Sequence, residues 1–353
     1  MKKLLIIGLL SVCSQIKAQQ TSLFTQYMFN EFAVNPAFAG ALDIIPVQGI
    51  IRRQWVGMVD APVSQMISSH GYVGNNFGIG GVLFNEATGP NRRTGGSFTT
   101  AYHLNVAGNL TGTQEQVVSF ALTANFTQHV LDKSRLTTYI PDDPTLLSTY
   151  NNQMVPDASL GVLYRNAHGY RFGLSAFNLI QTNKDIYNIA NPMHNRLVRN
   201  YNLYAAYDHE FNDMWSVHPS FMFRMIEALP IQFDINVRGT YKNKFWLGTS
   251  YRNKDAVSIV GGVNLLQLGI GYSYDFTTSE IRNYSYGSHE FTIVYHIHGG
   301  GGFEGRGVAG PSSGGARVKR TKKSRASEGK RTKSKKDKKE KDKTRKAVIR
   351  HKI

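Results

Sequence analysis

Ile231-Gln232-Phe233-Asp234-Ile235-Asn236-Val237-Arg238 alternates, without a break, between an apolar and a polar residue. A β-strand repeats its side-chain direction every second residue. Ile231, Phe233, Ile235 and Val237 therefore share one face, and Gln232, Asp234, Asn236 and Arg238 share the other. In a soluble sandwich the apolar face packs on a second sheet, whereas in a membrane barrel it meets lipid and the polar set lines the interior. A single strand fits both. The number of such strands, their aromatic residues and the lengths of their connections separate the two.

Fourteen segments of this kind can be marked, at 46–56, 62–73, 76–86, 93–108, 116–131, 156–166, 169–180, 196–211, 213–227, 229–241, 244–252, 255–264, 266–276 and 288–298. An even number returns both ends of the array to the same side. Tight polar connections at Gly74-Asn75, Asn166-Ala167-His168-Gly169, Asn212-Asp213 and Lys242-Asn243 suit hairpin turns. Longer ones at 132–155, 181–195 and 277–287 fall on the other side, as in outer-membrane barrels with short periplasmic turns and long external loops. Phe98, Tyr102, Phe120, Phe126, Tyr201, Phe221, Phe223, Phe291 and Tyr295 occupy outward positions, where rings mark membrane interfaces. The expectation is an all-β fold, a transmembrane outer-membrane β-barrel of about 14 antiparallel strands spanning 46–298.

The ends of the chain carry other signals. Met1-Lys2-Lys3, the apolar stretch Leu4 to Leu10 and the small residue of Ile16-Lys17-Ala18 form the three zones of a secretory signal peptide, which predicts a leader over 1–18. That apolar stretch falls short of the roughly 20 residues a spanning helix needs, and no later uncharged stretch approaches it. The single cysteine, Cys13, lies inside the leader, so the exported chain is expected to hold no thiol or disulfide.

A net charge of +17 suggests nucleic acid until it is divided along the chain. Residues 301–353 hold 20 Lys/Arg against 5 Asp/Glu, whereas residues 19–300 hold 18 against 19. The basicity belongs to one appendage, and export argues against a nucleic-acid partner. A Gly-rich linker is predicted over 299–318 and a disordered, lysine-rich periplasmic tail over 319–353, in which Lys322, Lys323, Lys335, Lys336, Lys338 and Lys339 are candidates for partner binding. Their candidate partners are outer-membrane lipid headgroups and acidic proteins or polymers of the envelope. Residues 19–45 are too aromatic for a free arm, with Phe24, Tyr27, Met28, Phe29, Phe32 and Phe38, and are expected to plug the barrel or cross its periplasmic mouth.

Ser22 to Asn30, followed by Val34-Asn35-Pro36-Ala37-Phe38-Ala39-Gly40, resembles the opening motif of the PorP/SprF family of the type IX secretion system of Bacteroidota. The family order continues through Arg52-Arg53-Gln54-Trp55-Val56-Gly57, Ala61-Pro62, Gly78 to Gly81, Gly89-Pro90, Pro156 to Tyr164, Tyr170 to Ser175, Gln232-Phe233-Asp234, Gly248 to Arg252 and Gly271 to Asp275. The resemblance implies a non-enzymatic outer-membrane barrel needed for secretion and surface anchoring of large proteins or adhesins with a type B C-terminal signal, some of them serving gliding motility. It also implies contact with periplasmic, peptidoglycan-associated components of the machinery. Gln26, Tyr27, Asn35, Pro36, Gly40, Gln54, Trp55 and Pro62 are the motif residues to which a structural or partner-binding role is carried over. The basic tail departs from the family, whose members end close to the last strand. A passive porin or nutrient channel is the alternative.

No cofactor motif is found, and catalytic groupings are sparse. Ser288-His289-Glu290 is weak because neighbours in a strand point to opposite faces. Asp142-Asp143 reads as turn chemistry. His296 and His298 share a face at metal-ligand spacing without a third ligand nearby in sequence. Gly299 to Gly302 lacks the lysine and context of a phosphate loop.

Overall fold

A computed structural model describes residues 24–107, 116–136, 152–180, 198–227 and 229–298. Inside these lie β1 (Ile44–Arg53), β2 (Val63–Gly74), β3 (Phe77–Thr88), β4 (Asn91–Ala107), β5 (Gln116–Leu131), β6 (Asn152–Asn166), β7 (Tyr170–Phe177) and β8 (Asn200–Tyr207). They continue as β9 (His209–Glu210), β10 (Trp215–Ile226), β11 (Gln232–Tyr241), β12 (Phe245–Arg252), β13 (Ala256–Leu265), β14 (Leu268–Thr277) and β15 (Ser288–His298). β8 and β9 both pair with β10 and form one stave interrupted at Asp208, so the sheet has fourteen staves. Each stave pairs antiparallel with its chain neighbour. The ring closes where β1 meets β15, from Ile44 opposite His298 to Arg53 opposite His289. Closure leaves no open edge, which is the condition for a sheet in lipid, where an unpaired backbone group has no water to turn to.

The direction of the alternation decides between sandwich and barrel. On β11 the polar residues Asp234, Asn236 and Arg238 are buried, while Ile235 and Val237 stay about half exposed. The same inversion recurs around the ring: Ile51, Ile67, Leu83, Phe98, Leu122, Leu174 and Leu247 point outward, and serines, threonines, asparagines and arginines point inward. A water-soluble sheet would hide these apolar rows. Here they form a continuous outer surface fit for lipid. The aromatics Phe98, Tyr102, Phe120, Phe126, Tyr201, Phe291 and Tyr295 lie on it exposed, with Phe221 and Phe223 half-buried on the same face.

The end that carries Ile44 and His298 is closed by tight turns. Asn75 and Asn76 adopt positive φ as the two residues of the β2–β3 hairpin, the geometry that matches strand twist, and Lys242 and Asn243 adopt it in the three-residue β11–β12 connection. Both turns are fixed by residues that tolerate the left-handed region or are held there by the ladder. The opposite end carries the longer connections. Several strand ends differ from the sequence reading. β1 starts at Ile44 and stops at Arg53, because Gln54 leaves the ladder to bond Pro62. β6 begins at Asn152, since Asn152 to Val155 pair with β5 although they read as loop. β7 and β8 end and begin at Phe177 and Asn200, inside the expected limits of 180 and 196. The leader 1–18, Asp142-Asp143, Gly299 to Gly302 and the lysine-rich residues with Lys322, Lys323, Lys335, Lys336, Lys338 and Lys339 lie outside the described residues.

Candidate functional site in the barrel lumen

Residues 24–43 run through the lumen before the chain enters β1 at the turn end. Three short helical turns, Thr25–Phe29, Glu31–Val34 and Pro36–Phe38, compact the segment. It supplies the apolar core that the barrel wall lacks. Tyr27, Phe32, Val34, Ala37, Phe38, Ala39 and Ala41 cluster with the wall residues Ala101, Ala121, Leu163, Tyr204, Ala206 and Met222.

Toward the loop end the segment is held by an ion cluster. Arg52 pairs with Asp275 at 2.7 Å and Glu290 at 3.2 Å, all three with side chains essentially buried. Glu290 also accepts from the backbone N–H of Thr25 and of Gln26, each at 2.8 Å. The Thr25 hydroxyl donates to Asp275 at 2.9 Å and accepts from Arg52 at 3.0 Å. A helical turn otherwise leaves its first N–H groups without partners, and here a wall carboxylate takes two of them.

Lower down, Asn30 donates to Ser68 at 2.8 Å, and Asn236 donates to the Tyr27 hydroxyl. Glu31 accepts from Arg171 at 3.0 Å and from the Tyr204 hydroxyl, while Arg171 also pairs with Asp208. Asn35 donates to the carbonyls of Val162 and Leu174 at 3.0 and 3.3 Å, and its own oxygen caps the next turn by accepting from Ala37 N–H at 2.9 Å. At the turn end, Ala39 O receives His103, Gly40 N–H donates to His70, and Ala41 O receives Arg165.

Several wall glycines that read in sequence only as motif letters are sockets for this segment. A Cβ on Gly161 would collide with the Asn35 side chain, and one on Gly173 would come within 2.6 Å of Asn35 Nδ2. Gly78 faces the Ala39 carbonyl, and Gly80 leaves room for the Phe32 ring. Gly40 combines φ +71° with a Gly78 backbone so close that no side chain fits.

The expected motif residues thus separate into two places. Gln26, Tyr27, Asn35, Pro36 and Gly40 meet in the lumen, where all but Gly40 belong to the helical turns or cap them. Gln54, Trp55 and Pro62 lie instead in the β1–β2 loop. Gln54 N–H donates to Pro62 O at 2.9 Å, and Trp55 N–H donates to Ser288 Oγ at 3.1 Å. Val56 then bonds across to the β14–β15 loop, donating to Gly287 O and accepting from Tyr286 N–H, so these motif residues shape the rim. Ser288 points inward and His289 outward against Tyr272, which leaves Ser288 and His289 without a shared proton. Among the described residues no group of three His, Cys, Asp or Glu is placed to hold a metal ion. Glu31 and Tyr204 carry no motif in the sequence, and Arg171, Asp275 and Glu290 appear there only as letters of family stretches or beside Ser288-His289, with no role in holding a luminal segment. Their only signal there is charge or hydroxyl at inward strand positions, or one carboxylate within an aromatic stretch.

Two cavities remain on either side of the segment. One of about 190 Å³ lies toward the loop end between Phe24, Phe84, Arg93, Asn178, Asn200 and Arg224. One of about 90 Å³ lies toward the turn end between Phe38, Ile44, His70, Arg238, Asn264 and His296. Asn30 and Phe32 border both, so they are part of the partition.

The family model described as type IX secretion system membrane protein PorP/SprF matches residues 16–295, from before the luminal segment into the last strand. The chain belongs to the PorP/SprF family. Its membership and its lipid-facing barrel make it an outer-membrane component of the type IX secretion system, in a family of secretion-system barrels rather than of enzymes. No curated protein matches the chain in sequence. Among solved structures, the Ralstonia pickettii toluene transporter TbuX is similar at 12% identity and TM-score 0.45, over 75% of this chain and 92% of its own. The CymD monoaromatic hydrocarbon channel is similar at 14% identity and TM-score 0.43, over 79% and 95%. CdiB from Acinetobacter baumannii is similar at 8% and 0.39, over 72% and 60%.

Proposed function

We propose that this PorP/SprF barrel is a non-enzymatic accessory for secretion and cell-surface anchoring of large cognate proteins or adhesins carrying a type B C-terminal signal, including adhesins of gliding motility. The observation that carries this reading is the filled lumen. Residues 24–43 cross it and are bonded to the wall along their length, which suits a scaffold more than a conduit. Short turns mark the periplasmic side of such barrels. By that rule the turn end faces the peptidoglycan-associated type IX components, and the loop rim built on Gln54, Trp55 and Pro62 faces the exported substrate. The lysine-rich residues around Lys322, Lys323, Lys335, Lys336, Lys338 and Lys339 add a basic periplasmic contact, to acidic envelope proteins or to lipid headgroups, and no nucleic-acid role. In this reading the barrel works without a cofactor.

Deletion of the gene tests the proposal. Loss of one large protein from the cell surface, with unchanged uptake of small solutes, is the expected result. Unchanged surface display with altered permeability would instead support a porin or nutrient channel. Truncation after His298 isolates the tail: reduced recovery of periplasmic partners on pull-down is expected, and identical recovery removes the tail from the mechanism.

A further inference from the structure

The cavity at the turn end contains a charge for which the described chain supplies no acceptor. Six arginines of the described residues are buried. Arg52, Arg165, Arg171, Arg224 and Arg252 each donate to an oxygen of the protein. Arg238, on the inward face of β11 and 6% exposed, does not. Its guanidinium lies 4.6 Å from the centre of the Phe29 ring, and its Nε meets no hydrogen-bond partner. An aromatic face offsets part of the desolvation of a guanidinium but satisfies none of its five N–H donors. A buried charge in that state calls for an anion or a group that stands in for one.

The walls of the cavity specify which anion. Phe29, Phe38, Leu42, Ile44, Pro46 and Val294 make one part apolar. Gln48, Thr240 and Asn264 add polar groups to the lining. Glu31, the carboxylate of the lining, is already bonded to Arg171 and Tyr204, and it opposes any strongly charged ligand. About 90 Å³ admits a few heavy atoms. Ile44, Pro46, Asn264 and His296 lie at or near the strand ends of the turn side, so the cavity sits at that end of the barrel.

We propose that Arg238 is the base of a ligand pocket, entered from the turn end, that binds a carboxylate on a short aliphatic stem. The planar fork of the guanidinium matches a carboxylate in two parallel hydrogen bonds, and the apolar wall receives the stem. The pocket does not depend on the role in secretion, and its test contains no secretion step.

The site carries its own reporter. Trp246 packs against Phe29 with ring centres 4.2 Å apart and planes tilted by 41°, and Phe29 in turn faces Arg238. The chain has three tryptophans, and Trp55 and Trp215 lie in a rim loop and on the outer face. In the full-length protein with Trp55→Phe and Trp215→Phe, purified in detergent, Trp246 emission is followed while sodium butyrate is added at constant ionic strength. Sodium phosphate and sodium chloride are added in parallel. A saturable change with butyrate, at least tenfold tighter than with either salt, is expected. Arg238→Met is expected to weaken it at least tenfold, and Arg238→Lys, which keeps the charge but loses the fork, at least threefold. A linear response, an equal response to phosphate or chloride, or unchanged affinity in Arg238→Met overturns the proposal. If Arg238→Met does not assemble, Arg238→Lys decides, and unchanged butyrate affinity in that variant overturns it.

Discussion

Replacing Glu290 by Gln is expected to free the luminal segment without opening the barrel wall, because Glu290 ties two neighbouring residues of that segment to Arg52 of the wall. It accepts from Thr25 and Gln26 N–H at 2.8 Å each and from Arg52 at 3.2 Å. Gln keeps the shape and one acceptor oxygen, but turns an NH₂ donor toward a backbone donor and leaves Arg52 with Asp275 as its carboxylate. Hydrogen bonds to charged groups contribute about 1.5–3 kcal/mol each. Removing one partner of a buried ion pair costs about 3–5 kcal/mol. Taking that second range for the whole change, since these bonds are not additive, the equilibrium for release shifts about a hundred- to a thousandfold or more at about 1.4 kcal/mol per factor of ten. The assay uses a thiol placed behind the segment. Ser68 is buried beneath Asn30 and borders only the cavity of about 90 Å³, so a polar maleimide too bulky for that cavity labels Ser68→Cys when the segment leaves. With Cys13, the one cysteine of the sequence, replaced by Ser, no other thiol competes. The labelling rate in Ser68→Cys/Glu290→Gln should exceed that in Ser68→Cys by about a hundredfold or more. A ratio below about threefold, in a barrel that still assembles, would refute the idea that this cluster anchors the segment.

Gly161→Val places a side chain where the Asn35 amide sits, and is expected to prevent the segment from docking, read as the same rise in Ser68→Cys labelling, whereas Gly239→Val, where the nearest atom to an added Cβ lies at 3.9 Å, leaves labelling unchanged. Arg171→Met leaves Glu31 and Asp208 buried without their shared cation and should lower stability to urea in lipid vesicles by about 3–5 kcal/mol, while Tyr204→Phe, which removes one hydroxyl donor to Glu31, should cost about 1–3 kcal/mol. Equal losses would mean that Arg171 adds nothing beyond a hydrogen bond. Leu122→Arg on the outward face of β5 should destabilise the membrane-inserted barrel by about 2–4 kcal/mol, and a neutral effect would contradict a lipid-facing position.

How legible this was in the sequence depended on the range of the interaction. The period-two run at Ile231–Arg238 set the strand, and the positions of Asn75 and of Lys242-Asn243 set hairpins, because strands and tight turns are decided by neighbours in the chain. The end of β1 was misplaced by three residues, since Gln54 to Val56 continue a plausible strand pattern and only their bonds to Pro62 and Gly287 take them out of the ladder. Asn152 to Val155 read as loop for the converse reason, because β5 extends far enough to pair with them. The motif residues Gln26, Asn35 and Gly40 were recognisable as a set. Their use was not, since their partners Glu290, Val162 and His70 lie between 30 and 264 residues away.

The sequence by itself therefore determined that this is an all-β membrane barrel and which of its residues form a recurrent family pattern. Alternation and turn chemistry are local, and a closed antiparallel sheet is the arrangement in which such strands satisfy their backbone in lipid. Only the tertiary structure decided what occupies the lumen, that the wall glycines are its sockets, and that Arg238 is left without a protein acceptor. Those outcomes depend on which inward side chains closure brings face to face across the barrel, and nothing local in the chain encodes that distance.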